Sequence, residues 1–362
     1  MTATTQVAAP ENRRGPGPIT AVLHRLPRYG LLLVGLALVL VFSALRPDSF
    51  PTTANFDAIV GNKTIDAFLA LAVMVPMVTK NFDLSVGYGM GLTYVLTISL
   101  QVNYGVPWPL AIGIVLAVGL VLGLVNGLLV EFGQIDSFIA TLGTGTVVYA
   151  ITLWHTKGQQ VTGELSTGFT SVDSAKIFGL HAPTLYLIIV AILMWLAFEY
   201  LPIGRYLYAV GANRRASELN GIRAGRYVIG AFMTSGVLTA VAGVLLASRL
   251  QVGQSNVGLD YLLPAFVGAL LGSTTIHSGR VNVWGTIVAV AVLAIGISGI
   301  QQLGSSFFVE PLFNGLTLIA AVGFAGYTVR RRTRVRRKQE EATHRGSIPP
   351  PRAAAEAPAT RP

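Results

Sequence analysis

The chain has no cysteine in 362 residues. That excludes a disulfide framework, a thiol nucleophile and a cysteine-held metal. Charge is scarce as well: Asp, Glu, Lys and Arg make up 12%, against about 25% in a soluble domain. A chain this poor in charge cannot clothe an ordinary water-soluble surface. No Gly-x-x-x-x-Gly-Lys-Ser/Thr loop occurs; Gly61-Asn-Lys-Thr64 has the Lys-Thr pair without the glycine spacing, so it cannot cradle phosphates. The five histidines (His24, His155, His181, His277, His344) are never four apart, which removes the helical two-histidine metal site. Gly-x-Ser-x-Gly is absent too, so nothing marks a nucleophile elbow.

What fills the chain is apolar. Hydrophobic residues are 52% of the total, and glycine contributes 40 residues; the mean hydropathy is +0.61. These values describe membrane helices packed closely through small residues. The formal net charge of +10 raises nucleic-acid binding as a possibility. Its distribution favours a different reading. The positive charge gathers in an N-terminal arm (Arg13, Arg14, Arg25, Arg28), in residues 204–226, and in the tail from Arg330 to Lys338, each beside an apolar run. Lys and Arg at the ends of spans mark the cytoplasmic side of a membrane. Such a tail can also touch anionic lipid.

A helical span needs about 20 apolar residues. The runs predict ten spans, at 29–46, 58–79, 85–101, 108–131, 136–154, 182–200, 226–247, 259–276, 281–302 and 311–330. The second is the weakest, because Asn62, Lys63 and Asp66 fall in its first half; a broken or partly extramembrane helix is expected there. With the basic arm inside, ten spans return the basic tail to the inside and place loop 201–225 there too. The longest outer loop, 155–181, then carries only Lys157 and Lys176. The first run has no small-x-small cleavage site before Arg46-Pro47, so an uncleaved span is expected rather than a signal peptide. Three regions follow: a cytoplasmic arm at 1–28, partly disordered; a transmembrane domain at 29–330; and a basic, then Ala/Pro-rich, disordered cytoplasmic tail at 331–362. Apart from Asp66, and Glu199 near a helix end, the spans hold almost no carboxylate. That weakens an ion-coupled carrier, which usually needs one.

Four stretches stand out. In Asn81-Phe-Asp-Leu-Ser-Val-Gly87, Asp83 and Ser85 suit the N-cap of the third span, and both could also meet a solute hydroxyl. Gly119 and Gly123 form a small-x-x-x-small pair suited to close helix packing, with Asn126 and, in Phe138-Ile-Ala-Thr-Leu-Gly143, Thr141 as polar exceptions. These two could bond a neighbouring helix or line a path. In the Arg-rich loop, residues 213–219 can form a short helix with Asn213 as N-cap and Gly221 as stop. Ala216 and Leu219 then share an apolar face. The plain alternative is a solvated loop whose arginines set topology. The fourth stretch is Gly268-Ala-Leu-Leu-Gly-Ser-Thr-Thr-Ile-His-Ser-Gly-Arg280, followed by Gly285-Thr.

In order, spacing and orientation these stretches resemble bacterial ABC transporter permeases of the ribose/xylose/galactose type, relatives of the branched-chain amino-acid permeases. The wording Tyr208-Ala-Val-Gly-Ala-Asn213 is of the sugar type. The reduced glycine doublets, Leu271-Gly272 and Ser278-Gly279, depart from the family's glycine-rich pattern and leave the solute open. The resemblance implies an all-α polytopic permease of the type II ABC importer kind, and a non-catalytic subunit of an ATP-driven importer. It implies separate ATPase subunits that bind ATP and Mg, so that no cofactor is held here. An extracytoplasmic solute-binding protein, a second permease copy or paralogue, membrane lipid and no nucleic acid complete the expected partners, in the bacterial inner membrane with both termini cytoplasmic. Gly211, Asn213, Ala216, Glu218 and Gly221 are the expected ATPase-coupling residues. Asn62, Asp66, Asp83, Ser85, Asn126 and Thr141 are the expected path residues. The solute is expected to be a monosaccharide or similar polar molecule; an ABC permease for another small solute (amino acid, nucleoside, polyol), a stand-alone secondary carrier and a membrane-embedded enzyme remain as alternatives.

Overall fold

Backbone polar groups in lipid must bond within their own segment, so apolar runs of this length become helices. A computed structural model of the chain describes residues 18–177, 179–276, 279–304, 308–320 and 323, with residues 18–28 as backbone only. The basic tail, the arm before residue 18 and His277-Ser278 lie outside the described residues. The chain divides into two units, Met1–Leu318 and Ile319–Pro362; the account below concerns the first.

The helices in chain order are Pro18–Leu45 (α1), Thr53–Val78 (α2), Ser85–Val102 (α3), Trp108–Glu131 (α4), Ser137–Thr156 (α5) and Thr167–Ser174 (α6). A two-residue antiparallel pair, Lys176–Ile177 (β1) with Leu180–His181 (β2), interrupts them. Then come Ala182–Glu199 (α7), Pro202–Ala212 (α8), Arg214–Leu219 (α9), Ala224–Leu250 (α10), Val257–Asp260 (α11), Leu262–Gly272 (α12) and Val283–Gln302 (α13). Val309–Ala320 (α14) follows. Six of these, α2, α4, α5, α7, α10 and α13, are long and apolar enough to cross a membrane. The molecule is therefore a helical, multi-pass membrane protein, with the small β1–β2 pair as its departure from an all-α architecture.

Burial sorts the helices. In the apolar stretch, 67% of α2 and of α10 is buried, against 28% of α4 and 33% of α5. α2 and α10 thus form the centre, and α4 and α5 the rim. From Thr64 to Pro76 every α2 residue is buried. α10 packs on α2, α3 and α4, while α2 packs on α12 and α13. Small residues permit the approach. A Cβ on Gly119, Gly123 or Gly236 would collide with backbone carbonyls across the α4–α10 contact, so these glycines are packing residues, as in small-x-x-x-small membrane pairs.

Two expectations need correction. The second span is unbroken; α2 runs 26 residues, because Lys63 is neutralised in place by Asp66 at 3.1 Å and Glu310 at 2.5 Å. The 259–276 span is instead two helices, broken at Tyr261. Pro264 lacks an N–H and its ring would strike the carbonyl of residue 260, so the helix restarts. The first helix, Pro18–Leu45, holds the run expected from residue 29.

The connections fall into two groups, one at each end. At one end, Lys80 reaches the Ala212 carbonyl, Phe82 N–H donates to Ser137 Oγ, Arg214 meets Glu131, and Tyr208 donates to the Val281 carbonyl. At the other, the α6 loop seals the ends of α3, α4 and α10. Val161 and Gly253 exchange backbone bonds at 2.9 and 2.8 Å, and Ser248 donates to the Phe169 carbonyl. Arg249 pairs with Asp173 at 2.8 Å.

Candidate functional site

The Arg-rich loop forms α8, α9 and the turn into α10. Asn213 is extended (φ −155°, ψ 102°), and its side-chain oxygen accepts from Ala216 N–H at 3.0 Å; the N-cap reading holds. α9 ends in a paired stop: Gly221 N–H donates to Glu218 C=O at 2.9 Å and Ile222 N–H to Ser217 C=O at 3.0 Å. Gly221 sits at φ +80°, a left-handed conformation that side chains with a Cβ resist. Both ends of a six-residue helix are therefore fixed by local chemistry, where its length alone would not sustain it.

Ser217 is buried against the protein, so Ala216 and Leu219 face outward, and Leu219 is 83% exposed. The capped helix thus carries an exposed apolar tip, ringed by Arg214, Arg215 and Glu218. Gly211 has a different place. It is buried against the end of α2, where a Cβ would strike the Val78 carbonyl; it seats α8 and presents nothing outward.

Two ties that the sequence did not announce link this segment to the helices. Arg214 Nη2 lies 2.5 Å from Glu131 at the end of α4, and its Nε is 3.0 Å from Glu218. The bond to Glu131 pushes the Arg214 pKa above its ordinary value, so the guanidinium stays charged. On the other side, Arg280 lies over the Tyr208 ring, 3.5 Å from its centroid, and 3.5 Å from Glu199. Burial raises the Tyr208 pKa, and its protonated hydroxyl donates to Val281 C=O at 2.8 Å. α8 and α9 are thereby tied to α4 and to the connection before α13. Pattern reading missed Glu131 and Arg280 because both partners are distant in sequence; the one available signal was a charge at each helix end.

The six expected path residues separate into two places. Asp83, Ser85, Asn126 and Thr141 meet in one buried network at the α8–α9 end. Asp83 accepts from Ser85 N–H at 3.0 Å, from Ser85 Oγ at 2.6 Å and from Ser235 Oγ at 2.8 Å. Asn126 donates to Ser85 Oγ at 2.7 Å and accepts from Thr144 at 2.5 Å. Leu84 N–H donates to Thr141 Oγ1 at 3.0 Å. The N-cap position of α3 is Leu84, between the two expected caps, because Asp83 already serves the Ser85 N–H. Asp83, Ser85, Asn126 and Ser235 bond one another across the start of α3, α4 and α10, while Thr141 of α5 bonds the backbone at Phe82 and Leu84.

Asn62 and Asp66 sit at the opposite end. Asp66 is buried and paired with Lys63. Asn62 is exposed and borders a cavity between α2 and α13. Among the described residues no group of three or more His, Asp or Glu side chains is placed to hold a metal.

Comparison with known proteins follows the same lines. The family model described as branched-chain amino acid transport system / permease component matches residues 55–322. The chain is 34% identical to the ribose import permease protein RbsC of Bacillus subtilis (strain 168), over 83% of this chain and 92% of that protein. It is 28% identical to the D-allose transport system permease protein AlsC of Escherichia coli (strain K12), over 82% and 90%. It is 27% identical to the galactose/methyl galactoside import permease protein MglC of Haemophilus influenzae, over 81% and 91%. No solved structure matches. The matched region holds the two central helices, the capped α9 and the network on Asp83, and the chain belongs to the branched-chain amino acid transport system permease component family.

Proposed function

We propose that the chain is the membrane half of an ATP-driven importer of monosaccharides, with D-ribose the first solute to test. Family membership supports the transport role. The similarity to ribose, allose and galactose permeases supports the sugar. The observation that carries the mechanism is α9, a six-residue helix fixed at both ends that offers Ala216 and Leu219 to a partner.

In this reading the partner is a Walker-type ATPase, which binds ATP and Mg on its own chain. Two ATPase subunits, a second permease copy or paralogue, and an extracytoplasmic binding protein complete the machine in the inner membrane. ATPase closure would push α9. Arg214–Glu131 would carry the push to α4, and Arg280–Tyr208 to the connection before α13. The permease supplies a helix packing with two arrangements, and nucleotide shifts the balance between them. Ten crossings, with both termini cytoplasmic, suit the sorting of connections to alternate ends and the basic loop 201–225. Asn62 and Asp66 belong to the outer part of the path, and the Asp83 network to its inner closure.

The test is uptake of radiolabelled D-ribose into proteoliposomes holding the permease, its ATPase and its binding protein. Uptake that needs ATP and the binding protein is expected. Uptake by the permease alone, without ATP, would establish a secondary carrier instead.

A further inference from the structure

At the end opposite α9, α2 and α13 flank a cavity of about 320 Å³, at the small end of the volumes that hold ligands, about 300–1,000 Å³. Its lining is unusually polar for a membrane helix surface: Asn55, Asn62 and Lys63 from α2, and Ser298, Gln301 and Gln302 from α13. Half of these form a fixed wall. Asn55 Oδ1 accepts from Ser298 Oγ at 3.1 Å and from Gln302 Nε2 at 2.7 Å, and Asn55 Nδ2 donates to the Phe50 carbonyl.

The other half is held but not consumed. Arg249, anchored by Asp173, donates to the Gly61 carbonyl at 3.0 Å and to the Asn62 carbonyl at 3.4 Å. The backbone that carries Asn62 is thus fixed, while the Asn62 amide makes no hydrogen bond within the described residues. Among the described residues the Gln301 side chain reaches only the far oxygen of Glu310, at 3.5 Å. Lys63 bridges Asp66 and Glu310, so its charge is cancelled, and with three N–H donors it keeps one to offer.

An amide both donates and accepts, as a sugar hydroxyl does, so paired amides read neighbouring hydroxyls. The carboxylates of Asp66 and Glu310 disfavour an anion. Ile59 and Ile297 supply an apolar floor for a C–H face. We propose that this cavity is an outer-end subsite for a neutral polyhydroxylated solute, read by the Asn62 and Gln301 amides and by Lys63. The proposal rests on the sugar-importer reading above and extends it to a named site.

The absence of cysteine makes the test clean. Asn62→Cys gives the chain one thiol, and Ser174→Cys, in the outer α6, gives a control thiol. Both are treated with a membrane-impermeant maleimide in the reconstituted importer, with the binding protein and ATP present throughout and D-ribose present or absent. The Asn62→Cys thiol should label from outside and be slowed about fivefold by the sugar, as a subsite occupied about four-fifths of the time would give, while the control rate stays constant. Gln301→Ala should raise the half-saturating D-ribose concentration by a similar factor, and Ala58→Trp, which fills the cavity, should stop uptake while ATPase subunits still co-purify. Labelling that ignores the sugar, or normal uptake through Ala58→Trp, overturns the subsite and leaves the importer standing. A wild-type importer that assembles with its ATPase and moves no monosaccharide overturns both.

Discussion

The guanidinium of Arg280 lies 3.5 Å over the ring centroid of Tyr208. One residue belongs to the connection between α12 and α13, the other to α8, so this contact fastens α8, which leads into the exposed α9, to the connection before α13. A cation over a tyrosine face contributes about 0.5–2 kcal/mol depending on desolvation. Arg280→Gln should therefore cost little in folding, measured as a small fall in Tm in detergent. The larger effect is expected on function: ATPase activity persists while D-ribose uptake falls. Equal loss of both would assign Arg280 to assembly alone.

Glu218 pairs with Arg214, and both are nearly half exposed. A surface pair of this kind is worth under about 1 kcal/mol, so Glu218→Arg should leave the protein folded and in the membrane. It should still lower transport and the transport-stimulated ATPase rate, because Arg214 is then repelled from the helix it braces. Wild-type uptake in this variant would remove Glu218 from the coupling set.

Glycine at 123 is required by approach, since a Cβ there meets the Phe232 carbonyl. Gly123→Leu forces α4 from α10, and overpacking of this kind costs about 1–3 kcal/mol. The same substitution at Gly143, where a Cβ meets open space, should be neutral. Thermal unfolding of the two variants side by side decides the matter; an equal Tm would show that α4 and α10 do not depend on that contact.

Asp83 accepts from three donors and holds α3 and α10 together. Asp83→Leu leaves the Ser235 hydroxyl and the Ser85 N–H without their partner, at about 1–3 kcal/mol for each buried group left unsatisfied. Asp83→Asn keeps an acceptor and should recover part of that loss. The ordering wild type, then Asn, then Leu in Tm is the expected outcome. An Asp83→Leu protein as stable as wild type would show that the network does not hold the helices.

Helix positions were readable because long apolar runs in lipid have one outcome, and the α9 caps were readable because Asn213 and Gly221 act locally. The α12 break was written in Pro264 but masked by the apolar run around it. The grouping of Asp83, Ser85, Asn126 and Thr141 was not readable. Each residue is a polar exception in its own segment, and only the packing shows that Asp83, Ser85 and Asn126 bond one another and that Thr141 holds the backbone at Phe82 and Leu84. The same holds for Glu131, whose partner lies 83 residues away, and for Arg280, whose partner Tyr208 lies on α8.

The central claim is that α9 is the seat of an ATPase, and its most direct test is co-purification. Tagged permease is extracted from its native membrane, with and without Leu219→Asp, a change at an 83% exposed side chain that should not disturb folding. The account predicts that a Walker-type ATPase accompanies the wild-type chain and is lost from the variant. An ATPase retained at wild-type yield by Leu219→Asp, or a chain that arrives alone and transports without ATP, would contradict it.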